Sequence, residues 1–207
     1  MNTNMKSLQR RIKVDTVVLC IICILFAIFI ISNIGKISEY SQMNKSSFEL
    51  KLEPTDTSNN TNNYYLYIDG EKYNPVDYNN YSRLDDTGKM NIKANVIMDN
   101  INEILKSILI EIIFIFLYIM LSRVKKGLTP FSVNNVSILR TVAFLSIFLA
   151  ILPVFVNMVG SMITFQYATI GYSSLNFYIM AIGVVFGIIS EIFKYGCELQ
   201  EDINQIA

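Results

Sequence analysis

The chain has no histidine and no tryptophan among its 207 residues, and only 16% of them are charged. Without an imidazole there is no histidine general base, no histidine-bearing zinc site and no Ser–His or Cys–His dyad. The sequence also lacks a metal-ligand spacing, a nucleophile elbow, a phosphate-binding loop and a pair of intramembrane aspartates. We therefore expect no enzymatic activity, no cofactor and no catalytic or metal site. Cysteine is scarce as well. Cys20 and Cys23 form C-I-I-C inside an apolar run, and Cys197 lies near the far end of the chain. That separation leaves no relay of thiols and no structural disulfide, so all three read as small packing residues. The formal net charge is zero, which removes any whole-chain electrostatic case for direct nucleic acid binding.

What the chain has in excess is apolar surface. It is 52% hydrophobic with a mean hydropathy of +0.40, a composition suited to lipid. Four apolar runs long enough to cross a bilayer follow one another. The reading is an all-α membrane protein: four transmembrane helices in a bundle, with an extracellular insertion between helices 1 and 2 that contains a small β element.

The first span is read as residues 14–34, behind a short N-terminus (1–13) carrying Lys6, Arg10, Arg11 and Lys13. This layout resembles a signal peptide, but no small-x-small cleavage site follows, so the segment should remain as an anchor. Residues 35–100 form the insertion. FELKL (Phe48–Leu52) alternates like a strand, and Asp69-Gly70 sits between two Tyr-rich runs as a two-residue hairpin turn. TDTSNNTNN, starting at Thr55, reads as a loop. Seven of the twelve tyrosines fall in this insertion, a density that fits either sheet packing or a peptide or glycan surface.

The second span, 101–122, carries Glu111 near its middle. A carboxylate at that depth must be neutral, hydrated or paired. Ser107, Phe114 and Tyr118 share its helical face, making Glu111, Tyr118 and Ser107 a candidate intramembrane polar site. Lys106 lies nearer the end and can snorkel.

A basic connector (123–137) follows. Arg123, Lys125 and Lys126 close one helix, and Gly127 suits a left-handed cap. Pro130 keeps Thr129 extended, Ser132 is an N-cap with Asn135 three residues on, and Phe131 can staple onto Val136. The third span, 138–159, has a line of small or polar residues, Ala143, Ser146, Ala150 and Asn157, and an internal Pro153. An uncharged outer loop, 160–173, places Tyr167 and Tyr172 at an interface. The fourth span, 174–195, has Gly183 and Gly187 in a G-x-x-x-G seam for helix packing. Glu191 follows, within reach of Arg140, and Gly196 should end the helix ahead of an acidic tail (196–207). Because the N-terminus and connector are basic and the 160–173 loop has no charge, both termini are expected to be cytoplasmic.

Two stretches, G-L-T-P-F-S-V-N-N-V-S-I-L-R (from Gly127) and E-I-F-K-Y-G-C-E-L-Q-E-D (from Glu191), resemble the bacterial four-span family catalogued as domain of unknown function 2975. Gly127, Pro130, Phe131, Asn135, Leu139, Arg140, Glu191, Phe193, Gly196 and Leu199 carry the resemblance. It implies a bacterial cell-membrane protein, and a small helix-turn-helix regulator as a partner at the cytoplasmic face. Pro130, Phe131, Asn135, Arg140 and Glu191 thus make a candidate partner or locking site. The function expected is a non-enzymatic membrane regulator or sensor coupling envelope state to a cytoplasmic partner, with homo-oligomers possible. The alternative is a small transporter or peptide-immunity protein using Glu111.

Overall fold

A computed structural model describes residues 3–54, 62–85, 87–126, 129–165 and 175–206. In chain order these form α1 (Thr3–Gln42), a 3-10 turn (Lys45–Ser47), β1 (Phe48–Pro54), β2 (Asn62–Ile68), β3 (Glu71–Val76), the single-turn α2 (Tyr78–Tyr81), α3 (Ile92–Lys125), α4 (Val133–Phe165) and α5 (Phe177–Ile206). Four of the helices are long and apolar enough to cross a membrane, so this is a multi-pass integral membrane protein in contact with the lipid bilayer. The chain divides into two compact units: Met1–Ile31 with Leu105–Pro153 and Ser174–Ala207, and Ser32–Ile104 with Val154–Ser173.

The first unit is a helix bundle organised on α4. In the apolar window of α4, 39% of residues are buried, against 6% in α1 and 11% in α3 and α5. The reason lies in residue size. Ala143, Ser146 and Ala150 line up along α4 and are almost fully covered, letting neighbours approach closely. Val142 and Leu149 of α4 meet Ile113 of α3, with Ile179 and Phe186 of α5 packed against them. Gly183 makes the tightest approach: a Cβ there would lie 2.8 Å from Ile147 Cγ1 and 2.9 Å from the Ala143 carbonyl oxygen. Gly187 is looser, its virtual Cβ 4.0 Å from that of Ala143. Covered positions of α1 recur in alternating four- and three-residue steps, Ile12, Thr16, Leu19, Cys23, Phe26 and Ile30, the spacing of a helix showing one seam to protein. α4 runs unbroken through Pro153. One turn before it, the Ala150 carbonyl accepts the Asn176 N–H at 3.2 Å, and Asn176 Oδ1 in turn caps α5 by accepting the Ile179 N–H at 3.1 Å.

The second unit carries a three-stranded antiparallel sheet in the order β1-β2-β3. Asp69 (φ 50°) and Gly70 (φ 83°) form the β2–β3 turn, both in the left-handed region that a primed hairpin turn requires. The β2–β3 register shifts between Tyr65 and Tyr67, and Pro75, which cannot donate to a ladder, sits on edge strand β3. Strand alternation sorts the side chains. Phe48, Leu66 and Ile68 face inward onto Tyr40 and Val96, whereas Glu49, Lys51 and Glu53 pair opposite Tyr67, Tyr65 and Asn63 on the other face. Lys93, in the first turn of α3, donates to the carbonyls of Ser41 (2.8 Å) and Met43 (2.6 Å), satisfying acceptors at the C-terminus of α1 where a cation suits the dipole.

The helices outrun the apolar spans read from hydropathy, because helix ends are set by caps and tertiary partners rather than by loss of hydrophobicity. Gly160–Phe165, expected as loop, continues α4, and residues 35–42 and 92–100, expected in the insertion, are helical. The clearest correction concerns Gly196. It does not end α5, which continues to Ile206. Its missing Cβ makes room instead, since a Cβ there would lie 2.5 Å from Phe131 Cδ1. The expected cap at Gly127, the loop 55–61 and the interfacial residues Tyr167 and Tyr172 lie outside the described residues.

Candidate functional site

The connector and α5 build one joint. Ser132 caps α4, its Oγ accepting the Asn135 N–H at 3.4 Å and its carbonyl accepting the same N–H at 2.9 Å. Asn135 Nδ2 reaches back to the Pro130 carbonyl at 2.9 Å. This double tie fixes the Pro130–Ser132 turn and aims Phe131 across at α5, where its ring lies 5.2 Å from that of Phe193 and over Gly196. Thr129 Oγ1 adds a bond to Gln200 Oε1 at 3.1 Å. One turn deeper, Arg140 Nη2 donates to Glu191 Oε1 at 2.7 Å. Both side chains of that pair are more than half exposed, so it guides the fit and contributes only about 0–1 kcal/mol.

Pro130, Phe131, Asn135, Arg140 and Glu191, singled out from sequence, thus come together in one place. Sequence reasoning missed Thr129, Gln200 and the role of Gly196. No local signal marked the last, because a glycine reads alike as a helix stop and as room for a neighbour. Asn135 is almost fully buried, and among the described residues its Oδ1 has no hydrogen-bond partner. Phe131 is 40% exposed, so the contact that closes the joint is reachable from outside.

In α3, Ser107 is buried while Glu111 and Tyr118 are half-buried. Phe114, on the same face, packs against Phe26 of α1 with ring centroids 5.9 Å apart, and Cys23 lies within electrostatic reach of Glu111. Among the described residues Glu111 makes no hydrogen bond and no ion pair. The shared face therefore meets α1.

The tyrosines of the sheet unit are mostly engaged. Tyr40 is core, edge-on to Phe48 at 5.8 Å, and Tyr64 stacks on Tyr78 at 4.4 Å. On the outer sheet face Lys72 Nζ sits 3.7 Å from the Tyr65 ring centre and Lys51 Nζ 4.5 Å from that of Tyr67. Glu53 accepts from both Lys72 and Tyr67. These bonds hold its carboxyl below the ordinary range, the Lys72 ammonium contributing most. Asp85 is pushed down more strongly, first by the Thr87 hydroxyl and then by Lys45 at 3.0 Å. Burial, and then the neighbouring Asp99 carboxylate that accepts its hydrogen bond, drive the Tyr81 phenol up. A shallow cleft of about 160 Å³ is bordered by Glu39, Tyr40, Met43, Ile68, Asp69, Glu71 and Tyr73. Among the described residues no three His, Cys, Asp or Glu side chains are grouped to hold a metal. No family model, no curated protein and no solved structure matches this chain.

Proposed function

We propose that the protein is a non-enzymatic membrane regulator or sensor of the bacterial cell membrane, with both termini cytoplasmic, in which the connector–α5 joint engages a cytoplasmic partner. The observation that carries this reading is the seating of half-exposed Phe131 in the notch left by Gly196, beside the exposed Arg140–Glu191 pair. One aromatic contact, one exposed hydrogen bond from Thr129 to Gln200 and a solvated ion pair make a clasp whose opening costs little. A partner that binds the open form better than the closed one then shifts the bundle. The extracellular insertion, with its own core, supplies the element that senses envelope state. Kinship with the four-span family that the two signature stretches resemble is part of this proposal, as is its small helix-turn-helix regulator as partner, and both rest on those residues alone. Photocrosslinking in native membranes tests the reading, with a photoreactive residue at Phe131 and a control at Tyr67. A specific adduct with a small DNA-binding protein at Phe131 is expected. Capture at Tyr67 only, or at neither position, overturns it.

A second reading is favoured by one observation, the half-buried Glu111 without a hydrogen bond or ion pair among the described residues. In this reading the protein is a small transporter or peptide-immunity factor in which Glu111 takes up a proton or cation. Glu111→Gln then abolishes transport or protection at unchanged membrane abundance. An intact phenotype removes it.

A further inference from the structure

α5 is 30 residues long, about 45 Å, whereas about 20 residues suffice to cross the hydrocarbon core. Its first fourteen residues, Phe177–Ser190, are uncharged, and from Glu191 onward it carries Lys194, Glu198, Glu201 and Asp202. The last turns, from Cys197, therefore stand in water.

One side of this extension is held by its own chain, through Phe131 on Gly196 and Thr129 on Gln200. The adjacent side is bare. Ile188, Ile192, Tyr195, Leu199 and Ile203 follow at steps of four, three, four and four residues and form one continuous stripe. Lipid covers the start of that stripe, but Leu199 and Ile203 continue it beyond the membrane, 45% and 65% exposed. Glu198 and Asp202 border them on one flank. Glu198 leans toward Lys194 at 3.6 Å, whereas Asp202 has no ion pair among the described residues.

We infer that this face is a docking surface for a basic amphipathic helix of a partner protein, one with apolar residues at i, i+3 or i+4, and i+7 and Lys or Arg along its edge. The inference deepens the regulator reading and rests on it for the partner's role, not for the surface itself. Charge selects the occupant. A second copy packed in the same membrane would bring its other flank, Gly196 and Gln200, against Glu198 and Asp202, and that flank offers them no cation. An anionic lipid surface would meet the same carboxylates and repel them. A basic helix covers Leu199 and Ile203 and neutralises Asp202 in one step, with the stripe supplying the register.

The test uses the full chain in nanodiscs of zwitterionic lipid and a fluorescent Leu/Lys helical peptide of about 14 residues, two heptads, as probe. A Leu/Glu peptide of the same pattern is the control. Saturable anisotropy is expected with the Leu/Lys peptide alone, weakened roughly tenfold or more by Leu199→Ser with Ile203→Ser. Glu198→Gln with Asp202→Asn should weaken it too and flatten its salt dependence. Helical circular dichroism confirms that the variants fold, as water-facing substitutions should. Equal binding of both peptides, or binding indifferent to both double variants, overturns the inference. So does disulfide crosslinking between copies through Ile203→Cys, which would make the occupant a second chain, or burial of a spin label at Ile203→Cys in lipid. If the peptide fails while the Phe131 adduct forms, the docking face falls and the regulator reading stands. If the peptide binds and no adduct forms, the reverse holds.

Discussion

The bundle and the sheet unit solve the same problem in opposite solvents. In the bundle, large apolar side chains such as Phe144 and Val184 are exposed while Ser146, Ser190 and Asn135 are buried. In the sheet unit, Phe48, Leu66 and Ile68 are buried, and Lys51, Glu49 and Lys72 look out. Lipid offers helices no hydrophobic reason to associate, so the bundle coheres by close approach at small residues. Water offers the sheet that reason, so it coheres by covering aromatic and aliphatic surface and tying off its polar ends. Exposure alone thus means different things in the two units.

The substitution that tests this most sharply puts a charge on comparable exposed positions in each. Phe144→Lys should cost about 2.5–3.5 kcal/mol of insertion or stability, whereas Leu52→Lys, at a similarly exposed sheet position, should stay within about 0.5 kcal/mol. Equal losses, read as folded membrane protein recovered and as melting temperature, would erase the contrast. Close approach is tested next. Gly183→Leu should overpack against Ile147 and the α4 backbone and cost about 1–3 kcal/mol, with Gly187→Ala nearly neutral. Thermal unfolding in detergent compares the two, and equal tolerance would remove the small-residue account of the bundle.

On the polar side, Lys93→Met strips the Ser41 and Met43 carbonyls of their donor and should cost about 1–2 kcal/mol. Faster amide exchange in the last turn of α1 and the 3-10 turn, with α5 unchanged, is the expected signature. Asp85 gives the sheet unit a pH dependence. Its folded value lies below the ordinary 3.8, so its stabilisation is whole above that pH and is lost as pH falls through the depressed folded value. Asp85→Asn should remove this acid-induced loosening, read as amide exchange around Lys45 and residues 87–89. Smallest of all is Arg140→Gln. With both partners of the ion pair exposed, stability should change by about 0–1 kcal/mol, and a larger loss would show that the joint is buried under membrane conditions.

Much of this was legible in the chain because its patterns are local. The hairpin at Asp69-Gly70 follows from two residues tolerant of positive φ between β-forming runs, and the α4 start from Pro130, Ser132 and Asn135 in sequence. The Arg140–Glu191 pair could be anticipated because opposite charges closing adjacent helices at one bundle end have few other partners. Gly196 was misread because glycine serves equally as a helix stop and as a notch, and only the Phe131 ring distinguishes the two. The tyrosines stayed ambiguous for a similar reason. Alternation sorts Tyr65 and Tyr67 from Tyr64, but which face is covered depends on α1 and α3, distant in sequence.

Sequence by itself determined that this is a four-span membrane chain with a hairpin-bearing insertion, since apolar run length, turn chemistry and capping act within a few residues. Tertiary structure alone decided which helix is central, which glycine is a contact, that Lys93 ties off α1 and that the last turns of α5 leave a bare stripe beside acids. Those outcomes depend on the volume and charge of side chains brought together from far along the chain, and no local pattern encodes that meeting.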